Sequence, residues 1–473
     1  MTNNSSLFKS TVFYSIANVF PQIVNFILLP FYSRVLSTED YGIIATVEMY
    51  TYILGIFMCL CLDRAAQRLF FDSENVDYRK KVLSTFFWSI VLISILLTGG
   101  IFLLGEQKIL STNMNFYPYL ATGVIISLLN SFSQLTTIYF QLIEKPKAFV
   151  TIKLLRFFIN TAFVLCTLLF VSANAEYKLL ADAYALLIML PIYLYIAYKY
   201  FGFEFDFKIL KQGIVFSVPL IPTLIVAWVL GLSNRYFIDM YMGLADVGLF
   251  SMAFKIASVV GILSGSIAAA FSPMFYRIAN KEGDTSASLR NISVQIIYIM
   301  IFAAFTITIF VPEVVSWFLD EKYHGIEIFI NLLMFSNLLI SLMSVTTVLY
   351  IMQSKNTYFN LYAGLIASIF SLIINYALIP VYGLYGAVMA NVISSVILYL
   401  SQYRFAKKGF NIQLPWKNIF VLLVFITVIS PLVQILSTTI TAFIIKILLL
   451  LTVCLFAYNY KDKFLANNNY SNT

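Results

Sequence analysis

The chain alternates long apolar runs with short polar breaks. Each run holds about 20 nearly uninterrupted apolar residues, the length of a helix crossing about 30 Å of hydrocarbon. Fourteen helices are expected. The first six fall at about 10–32, 41–62, 82–105, 116–140, 149–171 and 178–199. The next six fall at about 211–234, 246–271, 292–312, 326–352, 358–380 and 383–403, and the last two at about 416–436 and 440–460. Strands of a membrane barrel are about 10 residues long and alternate in polarity, which these runs do not. The expected fold class is an all-α integral membrane protein. The run Thr11–Tyr32, interrupted by Pro21 and Pro30, is read as a mature helix and not a cleaved leader.

The polar breaks carry a repeat. The opening stretch Leu7–Ile44 reads LFKSTVFYSIANVFPQIVNFILLPFYSRVLSTEDYGII, and Leu210–Phe250 answers it. Lys9 pairs with Lys211, Pro21 with Pro222, Arg34 with Arg235, and Asp40-Tyr41-Gly42 with Asp246-Val247-Gly248. Four matches in order, each opening an apolar run, point to an internal duplication. Parallel halves recur in transporters. The expected organisation is two pseudo-symmetric six-helix lobes, 1–200 and 210–405, facing each other across a central cavity. A linker at 201–209 joins them, and 406–473 adds two C-terminal helices and a tail. The linker alternates aromatic and acidic residues, as amphipathic segments in the headgroup layer do.

Composition supports the membrane assignment. The chain has 473 residues, 61% hydrophobic and only 11% charged, with a mean hydropathy of +0.88. A soluble domain averages about 25% charged residues. With the N-terminus inside, 21 of the 30 lysines and arginines fall in inner loops and tails. That is the positive-inside pattern with both termini cytoplasmic. The net charge of +8 then needs no nucleic-acid partner. Cys59, Cys61, Cys166 and Cys454 make no metal spacing, and His324 stands alone in a polar loop. No phosphate loop or cluster of catalytic ligands appears, so no cofactor and no enzyme activity are expected. Energy would come from a proton or sodium gradient, from the substrate's own gradient, or from a partner.

Charges within spans are costly in hydrocarbon and mark a watery interior or a partner. Lys255 lies nine residues past Asp246, about 14 Å into its span, and is the leading site candidate. Glu48 lies eight residues past Asp40; it is expected to pair with a cation such as Lys255 or to take a proton. Lys153 and Arg156, three residues apart, share a helix face, where snorkelling to the interface is the competing role. Arg235 and Asp239, four apart, fit a helical ion pair. Arg34 and Arg235 hold matching places at the outer ends of their spans, and Arg64 sits at an inner end; headgroup anchoring fits each of them too. The excess of within-span cations suits an anionic substrate, and the arginine fork suits phosphate. Asn130, Gln134 and other polar residues on spans would serve hydroxyl groups or helix packing. Pro21, Pro219, Pro222 and Pro380 should kink or stop their helices.

The stretch from Phe8 through Pro30-Phe31-Tyr32-Ser33-Arg34 to Asp40-Tyr41-Gly42 resembles the start of the polysaccharide flippases (Wzx-type) of the multidrug/oligosaccharidyl-lipid/polysaccharide exporter superfamily. Ile379–Asn391, with Gly383 and Gly386, resembles the same family. The resemblance implies two six-helix lobes, two extra helices, and alternating access of a cationic cavity. It also implies a substrate: an undecaprenyl-pyrophosphate-linked oligosaccharide repeat unit, moved across a bacterial inner membrane for O-antigen or capsule. Polysaccharide polymerase and chain-length proteins are the implied partners, beside membrane lipid. Cavity residues do not transfer by motif. Gly383 and Gly386 are expected to pack closely at a helix turn.

Four other readings stand beside this one. A drug/cation antiporter of the same superfamily would need acidic cavity residues, and Glu48 and Asp182 are the clear within-span acids. A flippase for the lipid-linked peptidoglycan precursor would share the architecture. A non-transporting scaffold would leave the buried polar residues without a role. A membrane glycosyltransferase would need a large catalytic loop, and no outer loop exceeds roughly twenty residues.

Overall fold

The computed structural model describes residues 4–104, 114–267, 271, 286–354, 358–406, 441, 443, 444 and 446–448. Its regular elements are helices, with no strand among the described residues. Among the described residues, twelve helical segments are long and apolar enough to cross a bilayer, and they coincide with the first twelve expected runs. The expected runs at 416–436 and 440–460 lie outside the described residues, apart from six helical positions between 441 and 448.

The first unit, Met1–Ser251, begins with α1 (Asn4–Ile27), α2 (Leu29–Val35) and α3 (Thr38–Cys59). Polar residues in the break before α3 start that helix. Ser37 Oγ accepts from the Asp40 N–H at 3.0 Å, and Asp40 Oδ2 accepts from the Ser37 N–H at 3.3 Å. This reciprocal box satisfies donors that a helix start leaves open. Asp40 Oδ1 also accepts from the N–H of Ala175 at 2.8 Å, which ties the start of α3 to the start of α8 (Ala175–Ile196).

At its other end α3 stops at two consecutive left-handed residues, Leu60 (φ 48°) and Cys61 (φ 56°). The short α4 (Leu62–Leu69) follows, with Leu62, Ala65, Ala66 and Leu69 buried. Next come α5 (Val76–Leu104), α6 (Ala121–Leu142) and α7 (Pro146–Phe170). The expected proline effects are visible in the seventh span. A single 3-10 turn holding Pro219 divides α9 (Phe207–Ser217) from α10 (Ile221–Leu232). Pro21 and Pro380 lie inside continuous helices.

The aromatic linker is pinned to α5. The carbonyl of Gly202 accepts from Trp88 Nε1 at 2.8 Å and from Ser84 Oγ at 3.1 Å. Phe203 stacks on Trp88 with ring centroids 5.1 Å apart, and Phe201 is buried among Phe86, Phe87 and Leu135. Asp206 caps α9 through the Lys208 N–H at 2.8 Å and pairs with Lys81 at 3.3 Å. Those contacts, the backbone N–H of Lys208 first, hold the Asp206 carboxyl below the usual carboxylate range.

The unit closes with α11 (Asn234–Tyr241) and the first half of α12 (Leu244–Ala257). Here the two matching motifs, at Gly42 and Gly248, meet. A Cβ built on Gly42 would stand 1.7 Å from the carbonyl oxygen of Leu244, and one on Gly248 would stand 1.9 Å from that of Thr38. Thr38 and Leu244 each lie four residues before their own glycine. The contact is therefore reciprocal, backbone against backbone, and only glycine fits at either position.

The second unit, Met252–Thr473, holds α13 (Ser286–Ile309), α14 (Val311–Phe318), α15 (Glu327–Ser354), α16 (Tyr358–Tyr382) and α17 (Leu384–Ala406). Ser336 Oγ on α15 donates to Asn391 Oδ1 on α17 at 2.6 Å. The turn between α16 and α17 places Gly383 at φ 58°, and a Cβ on Gly386 would meet the Leu378 carbonyl oxygen at 2.3 Å. Lys446 Nζ donates to Glu313 Oε1 at 2.6 Å, with both side chains buried.

Candidate functional site

A cavity of about 520 Å³ opens inside the first unit, walled by α3, α4, α6, α7 and α10. Its polar side is set by the sequence of α6. Ser127, Asn130, Ser131 and Gln134 recur at i, i+3, i+4 and i+7 and so share one helix face. All four line the cavity. The hydroxyls of Ser127 and Ser131 donate to their own helix carbonyls at 3.0 and 2.6 Å, which satisfies them within an apolar bundle and leaves their oxygen lone pairs as acceptors.

Arg156 enters from α7 and is held by α6. One guanidinium nitrogen donates to Asn130 Oδ1 at 2.5 Å and another to Ser133 Oγ at 3.0 Å. Both partners are neutral, and among the described residues no carboxylate forms a salt bridge with Arg156. The other charges on the cavity wall have counter-ions. Glu48, on α3, lies 3.7 Å from Lys178, which also pairs with Asp182 at 2.9 Å. Asp63 lies 3.8 Å from Arg64 and accepts from the Cys59 thiol at 3.3 Å. Burial pushes the Cys61 thiol up from its ordinary value, which leaves it a poor nucleophile. The lining charges thus comprise Arg64 and Arg156 against Glu48 and Asp63, and the cation without an acidic partner is Arg156.

The structure brings three of the candidates, Glu48, Arg64 and Arg156, into this one cavity. Lys153 shares its helix with Arg156 but faces α1, where Nζ donates to Asn18 Oδ1 at 2.7 Å and lies 4.9 Å from the Phe149 ring centroid. Arg235 is buried; it donates to Ser251 Oγ at 3.0 Å and to the Gly231 carbonyl at 3.1 Å, joining α10, α11 and α12. Asp239 is buried one turn further along α11. Arg34 lies exposed in the last turn of α2. Lys255 belongs to the second unit, with an exposed side chain and a backbone carbonyl that accepts from Ser258 Oγ at 2.7 Å.

The expected run at 178–199 puts Lys178 at its outer edge. Lys178 lies in the span Ala175–Phe201, and the i+4 spacing to Asp182 was the available signal. Ser133 was missed because its role depends on which way Arg156 turns.

The fold and cavity define a multi-pass, all-helical membrane protein with a polar interior. A family model described as polysaccharide biosynthesis protein matches residues 7–279. That is more than half of the chain, and the chain belongs to this family. The match takes in the motif ending at Gly42 and stops before the one at 379–391. A protein of the Lsg locus of Haemophilus influenzae is 23% identical over 346 residues, which cover 70% of this chain and 82% of that protein. Among solved structures, the lipid II flippase MurJ in an inward closed conformation aligns over 97% of this chain and 99% of its own, with a TM-score of 0.73 at 16% identity. The fold is therefore that of MurJ. An outward-facing MATE-family multidrug resistance transporter covers 88% of this chain and 96% of its own, at 13% identity and a TM-score of 0.46.

Proposed function

We propose that the protein flips an undecaprenyl-pyrophosphate-linked oligosaccharide repeat unit from the cytoplasmic to the outer leaflet of a bacterial inner membrane, for O-antigen or capsule biosynthesis. The observation that carries this reading is Arg156, a guanidinium held by neutral partners on a polar cavity inside a membrane bundle. A charge in that position is costly unless an anion or water offsets it, and its planar fork matches phosphate oxygens. The α6 stripe of Ser127, Asn130, Ser131 and Gln134 would meet sugar hydroxyls. The polyprenyl tail would stay in lipid while the headgroup passes. Membership of the polysaccharide biosynthesis family supports the substrate class.

Residues 1–200 and 210–405 would act as the two alternating lobes, with 201–209 as their linker and both termini cytoplasmic. Lys255 is the proposed anion contact of the second lobe. Proton or sodium coupling, and work beside a polymerase and chain-length proteins, belong to the same proposal. A second reading, transport of the lipid-linked peptidoglycan precursor, is favoured by the fold shared with a lipid II flippase.

The test is deletion and complementation in the native host, scoring surface polysaccharide and lipid-linked intermediates. Loss of polymer with repeat units trapped on the cytoplasmic side supports the proposal. Intact polysaccharide with arrested peptidoglycan synthesis supports the second reading, and intact output of both refutes the two together.

A further inference from the structure

A second cavity, of about 550 Å³, meets the first at Arg64, which lines both. It runs along the outward face of α4 toward the end of α6 and the start of the seventh span, and Gln67, Arg68, Phe71, Gln141 and Phe216 lie on its wall. The amphipathic turn of α4 builds it. With Leu62, Ala65, Ala66 and Leu69 buried, Arg64, Gln67 and Arg68 face the opposite way, and the two arginines stand one turn apart. Leu60 and Cys61, both left-handed, aim the helix; for residues with a side chain that conformation costs about 1–2 kcal/mol each. A costly bend directly before two outward arginines is the kind of strain that clusters at functional sites.

Only a loose acid contact holds Arg64, and among the described residues no salt bridge involves Arg68. Arg64 is 64% exposed, and its bond to Asp63 is long at 3.8 Å. The guanidinium carbon of Arg68 lies 4.6 Å from the ring centroid of Phe216. A cation stacked on a ring face keeps its N–H edge for a second partner. The amides of Gln67 and Gln141 add neutral donors, while Phe71 is a largely exposed apolar wall. The combination fits an amphiphile with a phosphate-ester headgroup and an apolar tail.

We propose that this second cavity is a waiting site for the pyrophosphate of the transported lipid, and that Arg64 hands the headgroup from Arg68 to Arg156. The proposal rests on the flippase reading and adds a place and an order of contacts to it. A substrate held first by Arg64 and Arg68 keeps a cation partner throughout the transfer, since Arg64 belongs to both cavities.

The test is calorimetric titration of the purified full chain with inorganic pyrophosphate. Two equivalents are expected for the wild type and one for Arg68→Gln. Arg156→Ala should also keep one, and Arg64→Gln should weaken both by at least about tenfold, the effect of losing one charge-assisted hydrogen bond. Arg68→Lys keeps the charge without the fork and should bind the first equivalent with intermediate affinity. Two undiminished equivalents in Arg68→Gln would overturn the proposal. Undiminished binding in Arg156→Ala would instead overturn the cavity reading while the Arg68 comparison still judges the waiting site. Titration in nanodiscs separates the two sources of phosphate. If phosphatidylglycerol removes the Arg68-dependent equivalent and phosphatidylcholine spares it, the site belongs to bulk anionic lipid and the relay is refuted.

Discussion

Replacing Gly42 with alanine tests the backbone contact between Gly42 and Leu244. The added methyl carbon would lie 1.7 Å from the Leu244 carbonyl oxygen, where carbon and oxygen normally rest at about 3.3–3.6 Å. The obstacle is backbone within a helix, so α3 and α12 must part by more than an ångström. Overpacking of this kind costs about 1–3 kcal/mol. Gly248→Ala should cost a similar amount, because its methyl would stand 1.9 Å from the Thr38 carbonyl oxygen. The informative quantity is the pair. Once one methyl has separated the helices, the other finds room, so the double variant should fall short of the summed singles by about 0.5 kcal/mol or more. Denaturant unfolding of the purified chain measures all three. Gly99→Ala is the control, since nothing stands within 4 Å of its Cβ position; it should be neutral or mildly stabilising. A Gly42→Ala variant within about 0.5 kcal/mol of the wild type, or strict additivity in the double variant, would refute the reciprocal contact.

Three further outcomes are expected. Asn130→Asp places a carboxylate where an amide oxygen now sits 2.5 Å from Arg156; it should neutralise that cation and cut transport about 10- to 100-fold, with expression unchanged, and wild-type transport by this variant would contradict the role given to Arg156. Lys446→Met removes the partner of buried Glu313 and should cost about 3–5 kcal/mol in the same unfolding assay, while the joint change Lys446→Met with Glu313→Leu should recover most of it; equal stability of single and joint variants would count against the pair. Asp206 has a depressed carboxyl value, so its contribution is present above the ordinary carboxylate range and vanishes as pH falls through the folded value. Asp206→Asn should therefore melt below the wild type at neutral pH and together with it in acid, and a pH-independent gap would refute the linkage.

The spans were legible because lipid demands nearly unbroken apolar runs, and the first twelve coincide with helices of the structure. The matching motifs Asp40-Tyr41-Gly42 and Asp246-Val247-Gly248 were legible as a pattern. Its physical meaning was not, because nothing in a pairwise match says that Gly42 and Gly248 touch. The cavity was legible in part. Arg156 and Asn130 stood out as polar residues on spans, but a helix apolar on most sides does not reveal which face turns inward. For that reason Lys153 and Arg156 were assigned to one face, and the structure sends them to α1 and α6. Arg235 looked like a headgroup anchor or the partner of Asp239; its bonds to Ser251 and Gly231 arise only when α10, α11 and α12 pack. The Glu313–Lys446 pair bridges 133 residues, a separation that local spacing rules do not reach.

The most direct test is translocation in proteoliposomes loaded with an undecaprenyl-pyrophosphate-linked repeat unit, comparing the wild type with Arg156→Ala. Headgroup binding at Arg156 requires that the wild type exposes the lipid-linked unit on the opposite leaflet, and that Arg156→Ala folds with the same unfolding midpoint but moves the unit at least about tenfold more slowly. Equal rates in the two proteins would contradict it.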